Sequence, residues 1–197
     1  REQEQSTEAT VKEVIRRLRS YQTVDGSFSY WPGGTAPNAW GTVYAIHFLL
    51  EAEKKGYLVP EGMKRNALND LSRIARNWKP EASYSAESEE MTQAYRLFVL
   101  ALGQVAEVGA MNRLKESKTL MSMSRYLLAA GYALVGRPDV SKELVVKTTA
   151  LTTACSGYDQ TFGSDLRDAS IRLMTLCLLD GGKEAALLAN EISKTLA

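Results

Sequence analysis

Four stretches of this chain read alike, and they constrain its fold more than any other feature. They are GTVYAIHFLLEAEKKG (41–56), TQAYRLFVLALGQVAEVG (92–109), SRYLLAAGYALVGRPD (124–139) and LRDASIRLMTLCLLDGG (166–182). Each opens on small or polar residues, often with an aromatic ring, then runs apolar almost all round and closes near glycine. A helix that is apolar on most faces must be covered on most faces. Between these stretches lie plainer amphipathic ones, at 7–21, 64–78 and 183–196. In the first, Val11, Val14, Ile15 and Leu18 fall at i, i+3, i+4 and i+7 with Lys12, Arg16, Arg17 and Arg19 between them, giving one buried stripe and one wet face. Alternation of doubly and singly covered helices predicts two concentric layers of helical hairpins, as in α/α solenoids and toroids.

The local signals agree with helix throughout. Helices are expected over 7–21 with Ser6 or Thr7 as cap, 41–55, 62–78, 91–105, a short piece at 111–116, 120–135, 140–149, 165–180 and 183–196. Gly56 with Pro60, Pro80, Gly136 with Pro138, and Gly181-Gly182 supply the stops, and no stretch alternates polar and apolar long enough for a strand. The expected class is all-α, an α/α toroid present as a partial or open ring of about eight helices, in a single helical domain over 1–197.

Bulk properties narrow the function. A net charge of +1 gives no field to attract nucleic acid or an anionic membrane. No apolar run approaches the ~20 residues of a membrane span. The chain opens at Arg1 without a methionine or a signal-peptide pattern, so it is expected to be part of something longer. Of the two cysteines, Cys177 reads as a small core residue inside Leu173–Leu179, Cys155 as a loop residue, and their spacing fits no zinc or redox pair. His47 is the only histidine and lies on a strongly apolar helix, where a half-buried histidine bonded to a neighbour is the expectation. Without a second histidine, a cysteine cluster, HExxH, GxGxxG or a P-loop, no metal or cofactor is expected.

The segment from Thr23 to Ala45, TVDGSFSYWPGGTAPNAWGTVYA, is the densest in turn residues and rings. Gln22, Asp25, Gly26, Ser27 and Phe28 form Q-x-x-D-G-S-F, a glycine turn whose ring packs back on the helix just left. Asn38 is the expected N-cap of the following helix. Tyr30, Trp31, Trp40 and Tyr44 here, with Tyr95 in the next repeat, are the candidate packing or contact residues, and Trp31 with at least one of Tyr30 and Trp40 is expected to pack on the helix ends at Tyr21 and Tyr44. Asp25, Glu51, Glu89, Glu90, Asp165 and Asp168 are candidates for a carboxylate pair of the kind glycosidases use. Ser164 or Asp165 is expected to cap the helix that follows, and Arg167 to pair with a neighbouring repeat.

With those residues assembled, the chain resembles the thioester-containing domain of the alpha-2-macroglobulin family, particularly its bacterial members. DGSFSYWPGG (25–34), WGTVYAIHFLLEAEKKGYLVP (40–60), TQAYRLFVLAL with AMNRLKE (92–116) and FGSDLRDASIRLMTLCLL (162–179) carry the resemblance, in order and at fitting spacing. It implies a toroid within a larger chain of β-sandwich domains that traps proteases. In that family, cleavage of a bait segment exposes a Cys-Gln thioester that acylates the attacker. The implied partners are the other domains of the parent chain and target proteases, and the implied location is periplasmic, cell-envelope or extracellular. The Cys-x-x-Gln motif itself is absent: Cys155 continues Ser-Gly-Tyr and Cys177 continues Leu-Leu-Asp. No catalytic residue is carried over, and His47 lies within a helix rather than in the loop where complement relatives place theirs. A non-catalytic domain is the expectation. The alternatives are a toroid enzyme acting on a polysaccharide or terpenoid, or a helical-repeat peptide binder. An exposed apolar edge on a partial ring would favour self-association of the isolated chain.

Overall fold

A computed structural model describes residues 2–80, 86–117, 120–149 and 161–196. Among them are nine helices: α1 (Glu2–Leu18), α2 (Ala39–Lys54), α3 (Glu61–Asn77), α4 (Ala86–Leu102), α5 (Val108–Lys115), α6 (Ser122–Leu134), α7 (Pro138–Thr149), α8 (Asp165–Leu178) and α9 (Gly182–Leu196). The only β features among the described residues are two isolated bridges, Gln22 with Phe28 and Ser29 with Pro37. The all-α expectation holds. The first helix begins earlier than expected, so Ser6 and Thr7 lie inside it rather than capping it. There the Thr10 hydroxyl donates back to the Ser6 carbonyl across one turn.

The chain divides into two compact units, Arg1–Ile74 and Ala75–Ala197. In the first, α3 is amphipathic as its sequence requires: Met63, Ala67, Leu68 and Leu71 are buried at helical spacing, and Arg65, Asn66 and Arg73 are exposed. Its one buried acid, Asp70, is satisfied by Ser27 and by Arg73. Lys64 Nζ links α3 to α2 through Glu53 Oε1 at 2.8 Å. On α2, Val43, Ile46 and Leu49 are fully enclosed. The stripe on α1 is covered less completely than its pattern predicts, for Ile15 is buried while Val14 is 37% exposed.

In the second unit α4 and α6 are the enclosed pair. Every residue from Met91 to Ala101 is buried, as is every residue from Tyr126 to Tyr132. The two helices meet closely at Gly131, where an added Cβ would stand 3.6 Å from the Phe98 backbone and 3.2 Å from Met111 Cε. Small hydroxyl residues bring the flanking helices onto α6. Ser141 of α7 donates to the Ala129 carbonyl at 2.7 Å, and Thr175 of α8 donates to the Tyr126 carbonyl at 3.0 Å. Both side chains are fully buried, and each hydrogen bond satisfies a polar group that would otherwise be costly there. Glu90 is buried too and accepts the backbone N–H of Met121, the residue that opens α6. Its carboxyl is raised above the usual range, chiefly by burial, with the Met121 bond and nearby Ser124 and Arg125 opposing.

The fourth repeat departs from the sequence pattern. Only Thr175 and Leu176 of α8 are buried, and Leu178 is 40% exposed. Cys177 is a free, exposed thiol rather than a core residue. The reason is geometric: successive residues turn about 100° around a helix, and the enclosed edge of α8 is only two residues wide. An apolar run that circles the helix therefore leaves Cys177 outside. Cys155, its suggested loop counterpart, lies outside the described residues.

Four helix ends share one motif. After α2, α4, α6 and α8 the second residue beyond the cap donates to the carbonyl five positions back: Tyr57 to Ala52, Val105 to Leu100, Arg137 to Tyr132 and Gly181 to Leu176. This is the Schellman closure, and it requires a left-handed residue in between. Glycine fills that place after α2 and α6, at Gly56 and Gly136. After α4 and α8 it is Gln104 (φ +61°) and Asp180 (φ +53°), with Gly103 and Gly181 standing one residue to either side.

Candidate functional site

The segment joining α1 to α2 is stitched to its surroundings along its whole length. The Thr23 N–H donates to the Ser27 carbonyl at 2.8 Å and the Gly26 N–H to the Thr23 carbonyl at 3.0 Å, closing the turn. Gly26 has φ +106°, and a Cβ there would lie 2.7 Å from the carbonyl carbon of Asn66 and nearer still to its oxygen. Only glycine allows the turn to touch the α3 backbone. Two side chains then fasten it. Gln22 Nε2 donates to the Gly26 carbonyl at 3.0 Å and to the Met63 carbonyl at 2.9 Å. Ser27 Oγ donates to Asp70 Oδ2 at 2.6 Å. Phe28 is buried, and its backbone N–H and C=O both bond the Thr42 hydroxyl on α2.

Beyond Phe28 the chain turns outward. Ser29 is held to the Tyr21 carbonyl through its N–H and hydroxyl, and the Gly33 N–H donates to the Ser20 carbonyl at 2.6 Å. The Asn38 N–H donates to the Phe28 carbonyl, while Asn38 Oδ1 accepts the Gly41 N–H and caps α2, as expected. Between these anchors the rings of Tyr30 and Trp31 meet edge to face with centroids 5.0 Å apart. Both stand in solvent: Trp31 is 71% exposed and Tyr30 57%. The expectation that Trp31 packs on the helix ends is therefore not met, because hydrogen bonds of the backbone and of the Ser29 and Asn38 side chains fix the loop without it and the ring projects into solvent. Trp40, by contrast, is buried, as is Tyr95 on α4, which stacks on Phe98 at 6.4 Å. Tyr44 is exposed on α2. The five rings thus divide into two that pack and three that face water.

His47 is half-buried on α2, and burial lowers its pKa below 6.5, with the Glu51 carboxylate opposing and Lys54 adding to the shift. Of the candidate carboxylates, Glu51 and Glu89 are half-buried. Asp25 and Asp165 are exposed, Glu90 caps α6 and Asp168 pairs with Arg167 at 2.6 Å. Arg167 also donates to the carbonyl and hydroxyl of Thr161, close by in sequence. Ser164 caps α8 by accepting the Arg167 N–H. No group of three or more His, Cys, Asp and Glu among the described residues could hold a metal ion. No described helix is long and apolar enough to cross a membrane.

No family model matches the chain. Among curated proteins it is 28% identical over 176 residues to the alpha-2-macroglobulin of Escherichia coli K12, a match covering 85% of this chain and 11% of that protein. The native conformation of E. coli alpha-2-macroglobulin has the same fold, with a TM-score of 0.81 at 24% identity over 96% of this chain and 12% of that one. Native E. coli alpha-2-macroglobulin from domain MG7 to the C-terminus gives a TM-score of 0.79, also at 24% identity, over 94% of this chain and 30% of that one. The chain spans about a tenth of the length of the curated relatives it matches. In sequence over most of its length, and in its helical fold, the chain is similar to a segment towards the C-terminal end of the bacterial alpha-2-macroglobulins.

Proposed function

We propose that the chain is a non-catalytic helical domain of a larger alpha-2-macroglobulin-like protein that traps proteases outside the cytoplasm. The observation that carries this is the joint match: sequence over 85% of the chain and fold over 96% of it, both to the same protein. The side chains agree with a scaffold role. The most elaborate hydrogen-bonded feature, the Q-x-x-D-G-S-F turn, ties helices together, and its polar groups are spent on backbone and on Asp70. On this reading residues 1–197 act as one helical domain in a partial ring of hairpins, with other parts of the parent chain and target proteases as partners. Tyr30, Trp31 and Tyr44 serve as contact residues and Trp40 and Tyr95 as packing residues.

The test uses the parent protein that contains this chain. Incubated with trypsin in excess, it should protect a large protein substrate such as casein from digestion. The isolated chain should neither protect casein nor release a thiol on treatment with methylamine, since no Cys-x-x-Gln is present to form the ester. A parent protein that leaves trypsin fully active on casein defeats the proposal, and so does a methylamine-dependent mass shift of the isolated chain.

A further inference from the structure

A groove of about 700 Å³ runs in the first unit between α1 and the connection from α2 to α3. Its lining is strongly unbalanced in charge: Lys12, Arg16, Arg19 and Lys55 face it against the single carboxylate of Glu8. Two of the four cations are already engaged, Lys12 with Glu8 at 2.6 Å and Arg16 with Glu13 at 2.6 Å. Arg19 and Lys55 make no ion pair among the described residues, and both are exposed. The rest of the lining is apolar. Leu58 stands 95% exposed beside Tyr57 and Pro60, and Ile15 is buried at 5% exposure.

We propose that this groove is a docking site for an acidic, leucine-bearing peptide segment. The two free cations call for carboxylates, and a bare Leu58 next to a tyrosine and a proline calls for an apolar side chain between them. A phosphate or other small anion would answer the charges and leave Leu58 and Tyr57 in water, and it would fill only a small part of the groove. A nucleic-acid strand would need a broader basic surface than a chain of net charge +1 provides. An extended peptide of alternating acidic and apolar residues matches both parts of the lining.

The chain itself is titrated against a fluorescein-labelled octapeptide of alternating Glu and Leu, read by fluorescence anisotropy. Controls are the alternating Lys and Leu peptide, the alternating Glu and Ser peptide, a single-stranded oligonucleotide and inorganic phosphate. Binding of the Glu and Leu peptide should weaken as salt rises, because the contributing charges are exposed. The double variant Arg19→Glu with Lys55→Glu should weaken it at least about tenfold, and Leu58→Ser should weaken it severalfold. All three positions are exposed, so the helical circular dichroism of the variants should match that of the parent chain. The proposal is overturned by any of four results: no binding of the Glu and Leu peptide, equal binding by the double variant, equal binding of the Glu and Ser or the Lys and Leu peptide, or tighter binding of the oligonucleotide. Displacement of the peptide by millimolar phosphate would also overturn it, since the site would then be an inorganic-anion site.

Discussion

Replacing Gly26 with alanine should be among the most damaging single-methyl changes available to this chain. Two costs add. An L-residue held at φ +106° gives up about 1–2 kcal/mol relative to an allowed conformation. The new Cβ would also sit 2.7 Å from the Asn66 carbonyl carbon, where real Cβ contacts essentially never come under 3.0 Å. The obstacle is helix backbone, so no side chain can swing aside. Either the turn lifts off α3, loosening the Gln22 and Ser27 bonds, or α3 shifts. Overpacking of this kind costs about 1–3 kcal/mol, so the two together come to about 2–5 kcal/mol, a large part of a typical domain's stability. Gly33→Ala is the matched control. Gly33 also has positive φ (+73°), but nothing lies within 4 Å of its added Cβ. It should cost about 1 kcal/mol, reduced further by the smaller entropy of the unfolded chain. Urea unfolding followed by helical circular dichroism and by tryptophan fluorescence reads the difference, with Trp40 as a buried reporter. With slopes of about 1–3 kcal/mol per molar urea, the Gly26 variant should unfold roughly 1 M or more below the Gly33 variant. Equal midpoints would refute the claim that contact with α3, rather than backbone angle alone, demands glycine at position 26.

Ser27→Ala removes a partner from the buried Asp70 carboxylate and should cost about 2 kcal/mol, measured by the same unfolding; Ser27→Thr, if its hydroxyl reaches Asp70, should recover part of the loss. Gln104→Gly should stabilise the chain, by about 0.5–1 kcal/mol, because glycine occupies the left-handed place after α4 without a Cβ clash; a loss of stability would contradict the Schellman reading. His47 should titrate in proton NMR with a midpoint below 6.5. Since its folded pKa is depressed, the native state binds fewer protons than the unfolded one. Its contribution to stability is therefore present above pH 6.5 and lost as pH falls through the lowered midpoint, a slope that His47→Gln should abolish.

Much of this was legible in the residues because helix periodicity and punctuation are local. The apolar wrap of 92–102 and 124–134 announced α4 and α6, Asn38 and Ser164 announced the caps of α2 and α8, and Asp-Gly-Ser-Phe announced a turn. What escaped depended on neighbours distant in sequence. Nothing in TLCLL says that only Thr175 and Leu176 meet α6 while Cys177 faces water, for the pattern fixes the helix and not its coverage. Trp31 looked like an anchor because large rings are often buried, yet the loop is already fixed by backbone bonds to Ser20 and Tyr21. The Asp70 partner of Ser27 lies 43 positions away and carries no local signal. The glycine rule for helix ends failed at Gln104 and Asp180, where the left-handed residue is displaced by one from the nearby glycine.

The bonds from Gln22 to Met63 and from Ser27 to Asp70 fasten points 41 and 43 positions apart, with all of α2 in the span between. The polypeptide is thereby clasped at the base of a long excursion, and covalent continuity through the exposed 53–56 stretch is not what keeps α3 beside the turn. A cut after Lys54 or Lys55 would sever the backbone yet leave its two halves locked together as a nicked complex, so the molecule could take a wound at two exposed lysines and go on holding its shape.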